Sequence, residues 1–224
     1  DGHALEAKIE DSGASFGYTL PKDKFRQPYI ARQVRVTIPV HLAPLSWGSF
    51  QLVEGQVDHR DGIYQNGVID TPFVTVSVDE GITVYDKTTN EAYEDFIQFE
   101  DRGDIGNEYI YFQPKGTEPI YAQLKGYEVL ENNARYAKVL LKHDLTIPVS
   151  ADEKLDAEQR GIIEFMKRDA GRSEELTTIP LETEMTVFVD NPQIRFKTRF
   201  TNTAKDHRIR LLVKTHNTRP SNDS

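Results

Sequence analysis

The sequence predicts a mostly β protein, an antiparallel β-sandwich with one helix. Three observations carry that expectation. Long segments alternate apolar and polar residues with a period of two, as in Gln33–Leu42 and Arg135–Val149. Short β-prone segments recur at regular spacing between turn residues. Only one stretch, Ser150–Ala170, breaks the pattern toward helical spacing. Many even-spaced strands with a single helix favour a sandwich over an α/β sheet.

Residues 1–28 give weak signals, a strand near Ala4–Ile9 and a Gly/Ser turn over Asp11–Gly17. In Gln33–Leu42, Val34, Val36, Ile38, Val40 and Leu42 form one buried face, and Pro39 points the strand to a sheet edge. Ala43–Ser46 then turns into a second strand, Trp47–Val53. Gln56–Gly62 is polar and turn-rich. It divides a small β unit (residues 1–55) from a larger sandwich portion (63–224), with 56–62 as the linker.

Beyond the linker, Pro72–Val78 buries Val74, Val76 and Val78. Ile82–Tyr85 and Glu91–Phe96 flank a turn in which Asn90 takes the left-handed position. Asp101–Pro114 (DRGDIGNEYIYFQP) runs from carboxylates through Gly103 and Gly106 into an aromatic strand, Tyr109–Phe112. Ile120–Leu130 and Arg135–Val149 make a long hairpin around Glu131–Asn133. In its second arm Ala137, Val139, Leu141, His143, Leu145 and Ile147 share one face. Ser150 and Glu153 form a capping box for a helix whose Leu155, Ile162, Ile163 and Met166 line one side. That helix is interrupted or ends near Gly161 or Gly171. Strands resume at Leu176–Leu181, Glu184–Asp190, Gln193–Thr201 and Ile209–Lys214.

Composition narrows function. The 224 residues suffice for one large β domain or two small ones. With 36 acidic and 27 basic residues the net charge is -9, which argues against nucleic acid or an anionic membrane as partner. No apolar run approaches the length of about 18 residues expected of a membrane span. The absence of cysteine excludes disulfides and thiolate metal sites, and suits a cytoplasmic protein weakly. A start at Asp1 without methionine and a polar end at Asn217–Ser224 predict an excised piece of a longer protein.

Two stretches carry chemistry. Asp101, Asp104 and Glu108 offer carboxylates for a general acid/base pair, which needs about 5 to 10 Å between carboxyls. Carboxylates this close in one loop more often act as turn caps or a cation site, although their spacing does not match an EF-hand. Asn202–Leu212 (NTAKDHRIRLL) gathers Asp206, His207, Arg208 and Arg210 at a strand start. Arg208 and Arg210 share a face, as a salt-bridged edge or as donors to a carboxylate or hydroxyls. His143, on an apolar face, is expected to be a hydrogen-bonded core histidine. There is no paired-histidine zinc helix, phosphate loop or Gly-x-Ser-x-Gly elbow.

Three stretches, in order, resemble the C-terminal β region of family 38 glycoside hydrolases, the α-mannosidases, of the bacterial type. His41–Leu52 (HLAPLSWGSFQL) resembles the strand–proline–turn–strand that closes the small β domain. Gly81–Pro114 is similar to the family's hairpin, glycine–aspartate loop and tyrosine strand. Arg172–Val213 resembles its arginine–serine start, paired strands and Asp-His-Arg ending. The resemblance implies a small β unit followed by part of a mutarotase-like supersandwich, truncated at its C-terminus and packed on a catalytic barrel and helical domains. It implies retaining hydrolysis of terminal α-mannosides by the parent chain. The nucleophile, the acid/base and a zinc held by His and Asp would all lie in the barrel, so this fragment has no catalytic or metal residues and no cofactor. By the same resemblance Tyr109 is the sugar-contact candidate, with Tyr111 as its rival. Asp104 braces the loop, and Asp206 with Arg208 supports the domain interface. Residues 152–170 form an insertion. A free-standing carbohydrate-binding or mutarotase-like module, and a structural sandwich that mediates homo-oligomer contacts, remain alternatives.

Overall fold

The computed structural model describes residues 7–38, 40, 42–53 and 61–216. The chain divides into two compact units, Asp1–Asp58 and His59–Ser224. Most of the expected linker, like Pro39 and His41, lies outside the described residues.

In the first unit β1 (Lys8–Thr19) and β2 (Gln27–Thr37) form a two-stranded antiparallel ribbon. The Gly/Ser stretch expected to turn instead continues as strand. Its register slips between Asp11 and Gly13, leaving Ser12 as the extra residue of a bulge. Gly13 takes φ +96°, and the Asp11 carboxylate accepts from the Gly13 amide (2.9 Å) and from Arg32 Nε (3.1 Å). A Cβ on Gly17 would sit 2.6 Å from the Tyr29 ring, so a side chain there would push that ring aside. The strand expected at Gln33–Leu42 thus begins earlier and ends at Thr37. No strand forms over Trp47–Val53, where Ser46 closes a turn on the Ala43 carbonyl and Leu45 takes φ +59°. Val34 and Val36, expected in a buried face, are exposed, because among the described residues of the unit the ribbon has no third strand or second layer.

The second unit is mostly β and antiparallel. Five short strands form a meander: β3 (Tyr64–Gln65), β4 (Val68–Asp70), β5 (Val74–Ser77), β6 (Thr83–Asp86) and β7 (Glu91–Tyr93). Val74, Val76 and Val78 are buried as the alternation requires, and Asn90 takes φ +59° in the β6–β7 turn. β8 (Ile97–Gly103) and β9 (Ile120–Tyr121) are two strands of a three-stranded sheet. β10 (Gln123–Asn132), β11 (Tyr136–Pro148), β12 (Leu176–Phe188) and β13 (Ile194–Arg199) make a four-stranded sheet in sequence order. β14 (His207–Val213) returns to flank β8, pairing His207 with Gly103 and Arg208 with Arg102.

Two apolar clusters fill the space between sheets. One joins the five-stranded meander to β11 and β12 through Ile69, Val76, Val84, Leu141 and Met185. The other joins β8 to the same strands through Phe99, Leu145, Ile147, Ile179 and Leu181. Strand β11 serves both, because all six residues expected on one face are buried.

Residues 176–188 were expected as two strands, but β12 runs unbroken. Thr183 sits at its centre, buried and sharing a 2.9 Å hydrogen bond with Thr198 on β13. The helix is shorter than expected. α1 spans Lys154–Arg160 and ends at Gly161, and one 3-10 turn follows at Phe165–Lys167. The capping box does not form. Ser150 Oγ donates to the Ala151 carbonyl, and Asp152 accepts from the Lys154 amide instead. Of the expected apolar side only Leu155 is buried, while Ile162 and Met166 are exposed. Among the described residues no helix is long and apolar enough to cross a membrane.

Candidate functional site

The stretch 101–114 is part strand and part braced loop. Asp101 to Gly103 close β8, and the expected aromatic strand Tyr109–Phe112 does not form. Asn107 is the reason: its side-chain oxygen accepts from the amides of Tyr109 and Ile110, both at 2.9 Å. Asn107 N donates to the Ile110 carbonyl and Ile105 N to Phe112, so the loop doubles back on itself. Asp104 sits inside that fold. Its Oδ1 accepts from Gly106 N (2.9 Å) and Phe112 N (3.1 Å), and its own amide donates to the Asp206 carbonyl at 2.8 Å.

The segment 152–170 supports the loop from the other side. Arg168, buried, donates through Nη1 to the carbonyls of Ile105 (2.5 Å) and Gly106 (2.7 Å). Ile105 packs with Ala151, Leu155 and Ala170, and Phe112 meets Phe165 edge to face at 5.6 Å. Gly106 is required by close approach, since a Cβ there would lie 1.8 Å from the Ile110 carbonyl oxygen. Gly106→Ala is therefore expected to displace the loop and cost roughly 1–3 kcal/mol, as overpacking does. A thermal melt within error of the unsubstituted protein would refute this.

The loop presents its two tyrosines differently. Tyr109 is 88% exposed at the tip. Tyr111 is half-buried under Arg208, whose guanidinium lies 3.6 Å from the ring centroid, and its hydroxyl faces Gln113 Oε1 at 3.3 Å. Arg208 Nε is buried without a hydrogen bond, so stacking on Tyr111 is what holds this guanidinium. Asp206, at φ +53°, accepts from Ala151 N through Oδ2 at 3.1 Å. Asp104, Asp206, Tyr111 and Arg208 thus meet around one loop, and Tyr109 projects from it. Glu108 is exposed at the tip, away from these contacts.

Beneath the loop lie two buried charge centres. Asp101, fully buried, receives Arg172 Nη1 at 2.6 Å and sits 2.6 Å from His207 Nδ1. The other His207 nitrogen faces Asn202 Oδ1 at 3.0 Å, and that oxygen also accepts from Ala204 N. Glu100, on the opposite face of β8, accepts from Arg102 (2.9 and 3.2 Å), from Arg210 and from the Tyr121 hydroxyl (3.3 Å). The Arg102 hydrogen bonds, then Arg210, hold its carboxyl at about 2, against the opposing effect of burial. Asp101 is thereby committed to Arg172 and His207, and Asp104 to backbone amides, so the suggested acid/base pair is not assembled. Among the described residues no three His, Asp or Glu gather to hold a metal.

Sequence reasoning did not assign roles to Glu100, Arg168, Arg172 or Asn202. Glu100, Arg168 and Arg172 act on partners distant in the chain, as Arg172 does across 71 residues, whereas Asn202 acts on Ala204 and His207, two and five residues away. Glu100 falls on the polar positions of the β8 alternation, with Gln98 and Arg102, so nothing in the sequence marked it.

Residues 1–54 match the family described as "Glycosyl hydrolases family 38 C-terminal domain 1". The chain is 33% identical, over 223 residues, to a protein named "Putative mannosylglycerate hydrolase" from Halalkalibacterium halodurans, covering 93% of this chain and 25% of that protein. It is similar in structure to an α-mannosidase from Enterococcus faecalis V583, with TM-score 0.78 and 34% identity over 95% of this chain and 25% of the other. A second Enterococcus faecalis structure, described as a protein in glycosyl hydrolase family 38, gives TM-score 0.77 and 32% identity over 94% and 26%. The chain spans about a quarter of the length of these relatives.

Proposed function

We propose, for a chain whose sequence and fold are similar to the C-terminal β region of family 38 glycoside hydrolases, that it is the non-catalytic β part of an enzyme acting on α-linked mannosides. Its loop 104–112 presents Tyr109 to the sugar, and the parent enzyme cleaves the glycosidic bond with retention in a barrel outside this chain. The zinc of that reading belongs to the barrel as well. No zinc ligand set gathers among the described residues here, so no step is assigned to it.

The observation that carries the reading is the division of labour between the tyrosines. Tyr111 has one ring face covered by Arg208 and its hydroxyl engaged by Gln113. Tyr109 is free, at the tip of a loop held by Asp104, Asn107 and Arg168. A rigid support with one exposed aromatic is how a protein positions a ring or hydroxyl against a sugar at low entropic cost. The relatives leave two substrate types in view, simple α-mannosides and mannosylglycerate.

The test is kinetic. In the parent enzyme, Tyr109→Ala is expected to lower kcat/KM on an aryl α-mannoside by roughly tenfold or more, corresponding to about 1.4 kcal/mol. Its melting temperature should be unchanged, because the side chain is exposed. Tyr111→Ala should instead lower the melting temperature by unstacking Arg208. Unchanged kinetics in Tyr109→Ala would refute the sugar contact. The 224-residue chain alone should show no turnover.

A further inference from the structure

Arg208 and Arg210 share a face of β14, and their surroundings give them different work. Arg210 is engaged by Glu100, through Nε at 3.0 Å and through Nη2. Arg102 lies directly opposite Arg208 in the β8–β14 register and is engaged as well. It donates to both Glu100 oxygens and to Gln113 Oε1 at 3.0 Å. Arg208 has no such partner among the described residues. Its Nε is buried without a hydrogen bond, while Nη1 and Nη2 make none and keep access to solvent.

This face of the two strands therefore sets three guanidiniums against one carboxylate, in a chain whose net charge is -9. Like charges opposite one another in a sheet repel. The other carboxylates at the loop do not relieve Arg208. Asp206 accepts from the Ala151 amide, and Asp104 from the amides of Gly106 and Phe112. A cation kept without a counter-ion beside two others calls for an explanation.

That cation is also held in position. Its guanidinium carbon lies 3.6 Å from the Tyr111 ring centroid. The Tyr111 hydroxyl donates to Gln113 Oε1 at 3.3 Å, and Gln113 Nε2 donates to the Thr117 carbonyl at 2.6 Å. A guanidinium stacked on a fixed ring loses little freedom when it binds, and its two terminal nitrogens form a planar fork that matches the two oxygens of a carboxylate. Tyr111 and Tyr109 belong to the same braced loop, so the fork and the sugar contact proposed above share one support.

We infer that Arg208 is a specificity-determining residue of the parent enzyme, whose Nη1 and Nη2 hold a carboxylate on the group attached to the mannose. The inference rests on the reading of this chain as part of an enzyme acting on α-linked mannosides. It narrows the substrate to α-mannosides of a hydroxy acid, the type named for one relative as mannosylglycerate. A neutral oligosaccharide offers this fork no charge.

The test compares, in the parent enzyme, mannosylglycerate with mannosylglycerol, its neutral analogue with a hydroxymethyl group in place of the carboxylate. The ratio of their kcat/KM values, acid over neutral, is expected to fall by about 10- to 100-fold in Arg208→Gln, the effect of losing a charge-assisted pair. Arg208→Lys keeps the charge without the fork and should retain only part of the ratio. It also carries the comparison if the glutamine variant does not fold. A ratio that stays the same in the variants, whether both rates fall together or neither changes, overturns the assignment and leaves Arg208 a prop of the domain interface. Ligand-observed NMR of mannosylglycerate binding separates this inference from the reading beneath it. If the parent cleaves neither compound yet binds mannosylglycerate in an Arg208-dependent way, the mannosidase reading fails and the carboxylate site stands. If it neither cleaves nor binds, both fall.

Discussion

Asp101→Ala is expected to destabilise the protein by about 3–5 kcal/mol, the cost of breaking a buried ion pair from one side. The carboxylate is fully buried, and the side chains it serves are nearly so, Arg172 at 8% and His207 at 3% exposure. Among the described residues Asp101 is the sole acceptor for the Arg172 guanidinium. The other two nitrogens of that group are already buried without partners. Removing the carboxylate therefore strands a cation that water cannot reach. It also frees His207, whose second contact is Asn202, and so loosens β14 from the end of β8.

Asp101→Asn keeps one acceptor and should lose less. Replacing Asp101, Arg172 and His207 together by apolar residues of similar volume should recover much of the loss, since the penalty lies in the uncompensated charge. The measurement is the urea midpoint at constant slope. Asp169→Ala is the control. Its pair with Lys115 is just as short at 2.6 Å, but both partners are mostly exposed, so removal should cost far less than the buried loss. A loss in Asp101→Ala no larger than in this control would sink the argument.

The same contrast between local and distant causes explains what could be read from the sequence. The face of β11 from Ala137 to Ile147 was legible because its partners are generic: any apolar layer buries that alternation. Asn90 was legible because a left-handed position is a property of one residue. Tyr109–Phe112 has the composition of a strand, yet the Asn107 side chain takes the amides a ladder would need, and local capping wins. Glu182–Thr183 reads as a break between strands, but β11 pairs along the whole of 176–188 and β13 pairs from Glu182 to Val187, and tertiary pairing overrides the local signal. In the first unit the period of two correctly marked β2 as extended. It could not say that the apolar face finds no cover within that unit.

For the site, the legible part was the loop and its neighbourhood. Asp104, Asp206, Tyr111 and Arg208 do converge, and Tyr109 stands clear of them. The supporting shell was not legible. Arg168 reaches the loop from a segment that read as an insertion, and its two hydrogen bonds span 63 and 62 residues. Spacing in sequence carries no information about such contacts. They follow only once the sheets place β8, β14 and the 152–170 segment side by side.

Acid should destabilise the protein in two separate windows. Glu100 sets the more acid window. Its carboxyl is held at about 2 rather than the ordinary 4.5, first by Arg102 and then by Arg210. A group with a depressed folded pKa contributes stability that is complete above its unfolded value and lost as pH falls through the folded one. For Glu100 that window runs from about 4.5 down to about 2, and a carboxyl so displaced contributes up to about 3 kcal/mol.

His143 acts earlier. Burial depresses its pKa below 6.5, so the unfolded chain takes up the proton first and stability begins to fall as pH drops below that value. Two variants separate the windows. Glu100→Gln should be less stable at neutral pH, with the gap to the unsubstituted protein closing as pH approaches 2. His143→Leu should flatten the curve just below pH 6.5 and leave the acid limb intact. Measured as urea-unfolding free energies across pH, a Glu100→Gln gap that stays constant down to pH 2 would show that the carboxyl is not held by its arginines. A gap that closes would identify the Arg102–Glu100–Arg210 cluster as the acid-labile tie between β14 and β8.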